Sequence, residues 1–492
     1  MTHVVIIGAY GSAGAAAAYE LADEPGIELT LIDDGEPGGG LCILRGCMPS
    51  KEVLSAGAHR FQARHDDRLV GDVPDVALDR VVDQKDDHTL GWAGHRRAGI
   101  EELAERDDVT FVHDTARFVD PHTVEAGGTQ YDADYVVIAT GSSVNVPDLP
   151  GIDEVEFMTS ADVLDARAFP DSGIVMGFGY IGMELVPYLT EAGGMDLTVI
   201  EHDDRPIDEA DPEFGDAALD IYRENWELTI PTNCYERRIE PTEDGGVRLT
   251  VEFEDSETHR ASEQSSGQRP RDGHEETYEA DQLFCFTGRR PTVEGLGLAN
   301  TDIAVEGDWV RETMQTDAHD HVYAVGDVNG KEPILHVAKE QGMTAADNIV
   351  RQEAGSAPQP YENVHHHVIF SGLGVYPFGR VGHNERTARE AGHNIAVATR
   401  QASDDGVFKS KDVAEGLAKL VVDRTDGTVL GWQGLHYHAD SFAKTMQIVV
   451  EMGLDVREIP DRAYHPTLPE NLDGLFRDAA ALVADAAGDP TE

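Results

Sequence analysis

Cysteine, lysine and long apolar runs are all scarce in this chain. Its 492 residues include four cysteines and eight lysines. Four cysteines are too few for a disulfide-stapled scaffold. No apolar run approaches the roughly 18 residues that a membrane-spanning helix needs. Positive charge is also short: 38 basic residues face 93 acidic ones, a formal charge of −55. That balance argues against nucleic acid or an anionic membrane as partner. No leader is read ahead of Met1 to Gly8, which is patterned as a buried strand, so a cytoplasmic protein is expected.

The length suits about three domains, each able to bury an ordinary core. The acidic residues run through the whole chain rather than standing in one block. A lysine-poor acidic surface of this kind resembles proteins of salt-accumulating halophiles. Molar salt screens such self-repulsion within about 3 Å.

Two strand–glycine–helix units carry the first motif. Val4-Val-Ile-Ile-Gly8-Ala-Tyr-Gly11-Ser-Ala-Gly14 runs into an alanine-rich helix and then the strand Leu29-Thr-Leu-Ile-Asp33. Gly173-Ile-Val-Met-Gly177-Phe-Gly179-Tyr-Ile-Gly182 runs into a helix and then Leu197-Thr-Val-Ile-Glu201. Each unit ends in an acid about 20 residues on, the pattern that seats a dinucleotide pyrophosphate on a helix N-terminus and a ribose on a carboxylate. Counted back from Gly14, Ala9 stands at the first glycine position of the first unit.

Cys42 and Cys47, with four residues between them, read as the start of a helix. A helix N-terminus favours the thiolate, the nucleophile of thiol–disulfide exchange. Packing and metal ligation are the alternative readings of the pair. Far along the chain, His465 precedes Pro466, and Glu470 follows five residues later. A histidine beside a carboxylate can serve a thiol as general base and acid. Cys285 is expected to be buried in a strand. His365-His-His367 admits a metal reading, but a solvent-facing stretch without metal is expected. His436 and His438 are expected on one strand face, where they could line a cleft.

Between the glycine units a helical stretch is expected over 51–107, followed by short strands and Tyr135 to Ser142, which includes Thr140-Gly141. A second strand–Thr-Gly element ends at Gly288, and Gly326-Asp327 follows another short strand. Residues 254–278 read as an extended hairpin loop, and 353–360 as a linker. Domains are expected at 1–150, 151–285, 286–355 and 361–478, with a loosely held acidic tail over 479–492.

Taken together, these motifs resemble the pyridine-nucleotide disulfide oxidoreductases, which include dihydrolipoamide dehydrogenase, glutathione reductase and mercuric reductase. The resemblance runs from Val4 to about Leu475. It implies an α/β fold with two Rossmann-like dinucleotide-binding domains, for FAD and NAD(P), and a C-terminal α+β dimerisation domain. Gly8, Gly11, Gly14, Asp33, Lys51, Thr140, Gly141, Gly326 and Asp327 would hold FAD. Gly177, Gly179, Tyr180, Gly182, Glu201 and Gly288 would hold the nicotinamide nucleotide, with Tyr180 covering the flavin. Lys51 and Glu184 would pair beside the reacting flavin nitrogen. Cys47 would face the flavin, Cys42 would attack the substrate disulfide, and His465, oriented by Glu470, would move protons in the partner subunit's site. A homodimer follows.

Departures from the family pattern narrow the substrate. Leu41 and Leu44 stand where a threonine and an asparagine are usual around the first cysteine. The C-terminal cysteine pair of mercuric reductases is missing. Tyr19 and Met343 replace the two arginines that hold glutathione carboxylates. A small acidic disulfide, bis-γ-glutamylcystine, fits these losses, and lipoamide is the alternative. Lys339, His336, His436 and His438 are candidate partners for substrate carboxylates. Glu201 favours NADH over NADPH.

Overall fold

The computed structural model describes residues 1–254, 273–462 and 464–487, and the side chains of 485–487 are not described. It divides into two compact units. The first comprises Met1–Lys51, Asp83–Asn145 and Arg289–Asn363; the second comprises Glu52–Val82, Val146–Gly288 and Val364–Glu492.

The first unit is built on β1 (Thr2–Ile7) and β2 (Ile27–Ile32), joined by helix α1 (Ser12–Ala22). β1 runs parallel to β2 and to the strand Tyr135–Ile138; the sheet continues through β3 (Val109–Val112) at one edge and Val322–Ala324 at the other. Val4, Val5 and Ile6 are fully buried, as a strand covered on both faces requires. Ala13 and Ala15 to Ala18 keep α1 thin, so the helix Leu335–Glu353 comes very close to it. A Cβ on Gly342 would lie 2.2 Å from the Ala13 carbonyl oxygen.

The second unit holds a four-stranded parallel sheet, in the order Asp196–Ile200, Ser172–Met176, Gln282–Cys285, Phe157–Met158. It also holds a five-stranded antiparallel sheet that starts at the edge strand His366–Ile369. One core joins them: Phe61, Phe178, Tyr188, Phe214, Tyr222, Tyr376 and Phe378 are buried together. Each such side chain stabilises the fold by about 1.5–3 kcal/mol through lost apolar surface.

Some elements differ from expectation. The stretch 51–107 is two helices, α3 (Cys47–His65) and α4 (Leu78–Leu103), because Pro74 and Gly71 interrupt the helical pattern between them. α2 (Leu41–Leu44) is a separate single turn that holds Cys42. The loop between Val247–Phe253 and Glu275–Ala280 closes an antiparallel pair, and its residues 255–272 lie outside those described. The described chain stays ordered past residue 478, through Ala487. The helix Glu470–Ala487 runs on with Ala479 and Val483 buried against the antiparallel sheet, because its apolar residues keep a helical spacing. His436 lies beyond the end of its strand, Val429–Leu435. It is 1% exposed and ringed by Phe408, Trp432 and Phe442. Burial pushes its pKa down to about 4. It lines no cleft. His438 is half-exposed at the start of the next helix, in a left-handed conformation. No described helix is long and apolar enough to cross a membrane.

Candidate active site

The parallel strands of the first unit deliver four motifs to one edge. Gly8, Asp33, Thr140-Gly141 and Gly326-Asp327 each stand just past the carboxyl end of a strand, the place where open α/β sheets bind nucleotides. Gly8 turns the chain with φ +95°, and a Cβ there would lie 2.3 Å from the Ala139 carbonyl oxygen. Gly177 has the same φ of +95°, and a Cβ there would lie 2.6 Å from the Phe286 carbonyl oxygen. Both amides donate to the neighbouring strand: Gly8 to Ile32 at 2.8 Å, Gly177 to Ile200 at 3.2 Å. The two turns are therefore equivalent, and Gly8 rather than Ala9 is the first fingerprint glycine. The first loop is one residue longer than the second, since Gly11 and Gly179 both precede the first turn of their helices. Gly14 packs against the Gly8 carbonyl and Gly182 against that of Gly177. Neither helix carries a side-chain cap or an acid in its first turn, which leaves the amide groups to an anion.

Asp33 accepts hydrogen bonds from the Tyr10 amide at 2.8 Å and the Gly35 amide at 2.9 Å. Burial raises its pKa against those bonds. Asp327 accepts from Ser142 Oγ at 2.6 Å, and that hydroxyl accepts from Arg289 Nε at 2.8 Å. Ser142 and Arg289 are not among the site residues expected from the sequence. Each follows a Thr-Gly pair, and that repeated spacing is the signal that could have marked them. Thr140 Oγ1 donates to the Thr292 carbonyl at 2.6 Å, and Gly141 holds φ +69°. These glycine cradles, anion-ready amides and the fixed Asp327 fit FAD.

In the second unit Glu201 is 8% exposed, and burial pushes its pKa up to about 7. Its Oε1 accepts the Asp203 amide at 2.9 Å. Arg205 is committed to Asp204 and Asp216, at 3.0 and 2.8 Å. Tyr180 opens the helix Tyr180–Glu191 and donates its hydroxyl to Glu209. Glu184 accepts the Phe370 amide at 3.1 Å. Gly288 holds φ +87° at the end of its Thr-Gly pair. Lys51 belongs to the first unit, where its Nζ donates to Ser50 Oγ at 3.1 Å; Glu184 belongs to the second.

The sulfurs of Cys42 and Cys47 lie 2.7 Å apart. Cys47 is the first residue of α3, whereas Cys42 sits on the separate turn α2. The lowering expected of a thiol at a helix start does not occur at Cys42. Its hydrogen bond to Cys47, with burial, pushes its pKa up. Cys234 and Cys285 are buried, and burial pushes both thiols up to about 12, so they stand outside the chemistry. His465 is 80% exposed, with Nδ1 3.1 Å from Glu470 Oε1. Tyr19 and Met343 are partly exposed on their helices. Lys339 is exposed and His336 half-buried on Leu335–Glu353.

The histidine triplet faces solvent only in part: His365 and His366 are half-buried and His367 is buried. His367 is 5% exposed and lies 2.9 Å from Glu209. The edge strand turns it inward toward a loop that the local sequence does not reveal.

Comparison with known proteins agrees with this geometry. Residues 2–342 match the family described as pyridine nucleotide-disulphide oxidoreductase, and residues 367–475 match its dimerisation domain. The chain is 29% identical over 487 residues to dihydrolipoyl dehydrogenase of Haloferax volcanii, covering 95% of this chain and 94% of that protein. It is 28% identical over 479 residues to mercuric reductase of Bacillus cereus, covering 95% of this chain and 70% of that one. The crystal structure of LpdA from Mycobacterium tuberculosis shares the fold, with a TM-score of 0.79, 22% identity, and 97% and 99% of the two chains covered. The chain belongs to the pyridine nucleotide-disulphide oxidoreductases, as a flavoprotein enzyme that uses FAD and NAD(P)H.

Proposed function

We propose that this enzyme uses NADH to reduce a small acidic disulfide, bis-γ-glutamylcystine, through the Cys42–Cys47 dithiol, as a cytoplasmic homodimer of a halophile. The observation that carries the disulfide chemistry is the pair of sulfurs 2.7 Å apart beside the start of α3. FAD, when bound, would supply the redox link between the nicotinamide and this dithiol. Cys42 holds its proton, so its attack on a substrate sulfur needs a base. His465 of the partner subunit, held through Nδ1 by Glu470, leaves Nε2 to take that proton and return it to the departing thiol. Cys47 then displaces the second thiol and closes the intramolecular disulfide. One NADH and one proton enter per disulfide, and two thiols leave.

The Gly326-Asp327 side of the first unit, with Asp33, would hold FAD; Lys51 and Glu184 would serve its reacting end, and Tyr180 would guard the nicotinamide position. Glu201 takes the nicotinamide-nucleotide ribose, and the engagement of Arg205 with two aspartates leaves a 2′-phosphate without that cation. Tyr19 and Met343 offer no charge to glutathione carboxylates.

Dihydrolipoamide oxidation is the second reading, supported by the similarity to the Haloferax volcanii enzyme over nearly the whole of both chains. A turnover screen in molar KCl with bis-γ-glutamylcystine, lipoamide, oxidised glutathione and mercuric ion decides between them. If lipoamide is turned over best, the second reading replaces the first.

A further inference from the structure

The second unit gathers three ligand-type side chains that the thiol chemistry does not use. His365 and His367 are two residues apart at the edge strand His366–Ile369, and Glu209 stands in the loop after Asp196–Ile200. One donor atom from each can be chosen so that all lie within 4.8 Å of one another.

We propose that Glu209, His365 and His367 form a binding site for a divalent transition-metal ion of the zinc class. His367 Nε2 is 2.9 Å from Glu209 Oε1. Neighbouring ligands of a tetrahedral ion with bonds near 2.0 Å stand about 3.3 Å apart, so this imidazole and the carboxylate already stand near that spacing. His365 Nε2 is 3.7 Å from Glu209 Oε2, and a small movement brings that imidazole into the same shell. His367 is the second observation. It is 5% exposed, and its Nε2 makes no well-angled hydrogen bond although Glu209 Oε1 lies 2.9 Å away. A buried imidazole left in that state favours an added ligand.

Glu209 is an anion at neutral pH. Burial pushes its pKa up, but the Tyr180 hydroxyl and the nearby His365 and His367 imidazoles more than offset this and hold it below the usual carboxylate range. His365 has a side chain 30% exposed, which leaves an entry path and room for a water ligand. Two nitrogens and one oxygen suit zinc or copper better than magnesium or calcium. Arg380, 3.6 Å from Glu209 Oε2, opposes the added charge, so the affinity falls short of a structural zinc site. The ion also competes with Tyr180, whose hydroxyl donates to the same carboxylate and whose ring stacks on His367 at 5.4 Å.

The test uses the full FAD-loaded chain with Cys42→Ser and Cys47→Ser, so that the dithiol takes no metal. After chelator treatment, Zn²⁺ is titrated calorimetrically in molar salt with millimolar Mg²⁺ present. One Zn²⁺ should bind per chain with Kd of about 10 μM or tighter, and His365→Gln and Glu209→Gln should each weaken it at least about tenfold. His365→Gln alters a partly exposed side chain, and an unchanged melting temperature certifies its fold. Zinc binding that millimolar Mg²⁺ abolishes, or that His365→Gln leaves unaltered, overturns the site and marks the ion as counter-charge on an acidic surface.

Discussion

Glu470 holds His465 by a shared oxygen. Its Oε1 lies 3.1 Å from His465 Nδ1 and accepts the Thr467 amide at 2.9 Å. The amide fixes the carboxylate, and the carboxylate fixes the ring, so an imidazole that is 80% exposed keeps one orientation. His465→Ala should lower turnover by about 10²–10⁴-fold, the usual scale for a general acid–base. Glu470→Gln should cost less, because the amide oxygen can still accept from the Thr467 N–H. Steady-state kinetics from pH 5 to 9 measure both.

The two thiols should separate by spectrum. Cys42→Ser should abolish disulfide turnover yet keep a long-wavelength absorbance band in the FAD-loaded protein, from the Cys47 thiolate beside the flavin. Cys47→Ser should lose both. Near-normal turnover in either variant contradicts the roles given to the pair.

Gly8→Ala tests the equivalence of the turns. The added Cβ would meet the Ala139 carbonyl at 2.3 Å in a backbone with φ +95°. The cost is about 1–3 kcal/mol of backbone strain alone, so the variant should purify with little FAD. Ala9→Gly should leave the yellow colour intact.

Glu201 makes stability depend on pH. Its folded pKa of about 7 lies above the ordinary carboxylate value. The stability linked to its proton is full below about pH 4.3 and is lost as pH rises through 7. Glu201→Gln should therefore gain on the wild type by about 2 kcal/mol between pH 5 and pH 8. Urea unfolding at the two pH values reads the difference. The same variant should lose discrimination between NADH and NADPH.

For the substrate, kcat/KM for bis-γ-glutamylcystine should exceed that for oxidised glutathione by at least about tenfold, or 1.4 kcal/mol in transition-state binding. Tyr19→Arg with Met343→Arg should narrow the gap by restoring charge for the glycine carboxylates. An unaltered ratio in the double variant means that these positions do not read the substrate.

The sequence by itself determined the elements whose signal is local. Glycine spacing and terminal acids set both nucleotide-binding turns, since a φ near +95° and a blocked Cβ are properties of one residue and the strand beside it. Cys42, Cys47 and the His465–Glu470 spacing were legible for the same reason. Tertiary structure decided what depends on distant chain. Gly8 displaced Ala9 because the adjoining strand, Tyr135–Ile138, fixes where the turn must be tight. His436 became core because three rings from separate elements close over it. Ser142 and Arg289 meet at Asp327, and Glu209 meets His367, only when loops remote in sequence are brought together by sheets. Periodicity reports which face of an element is buried, but not which partner buries it.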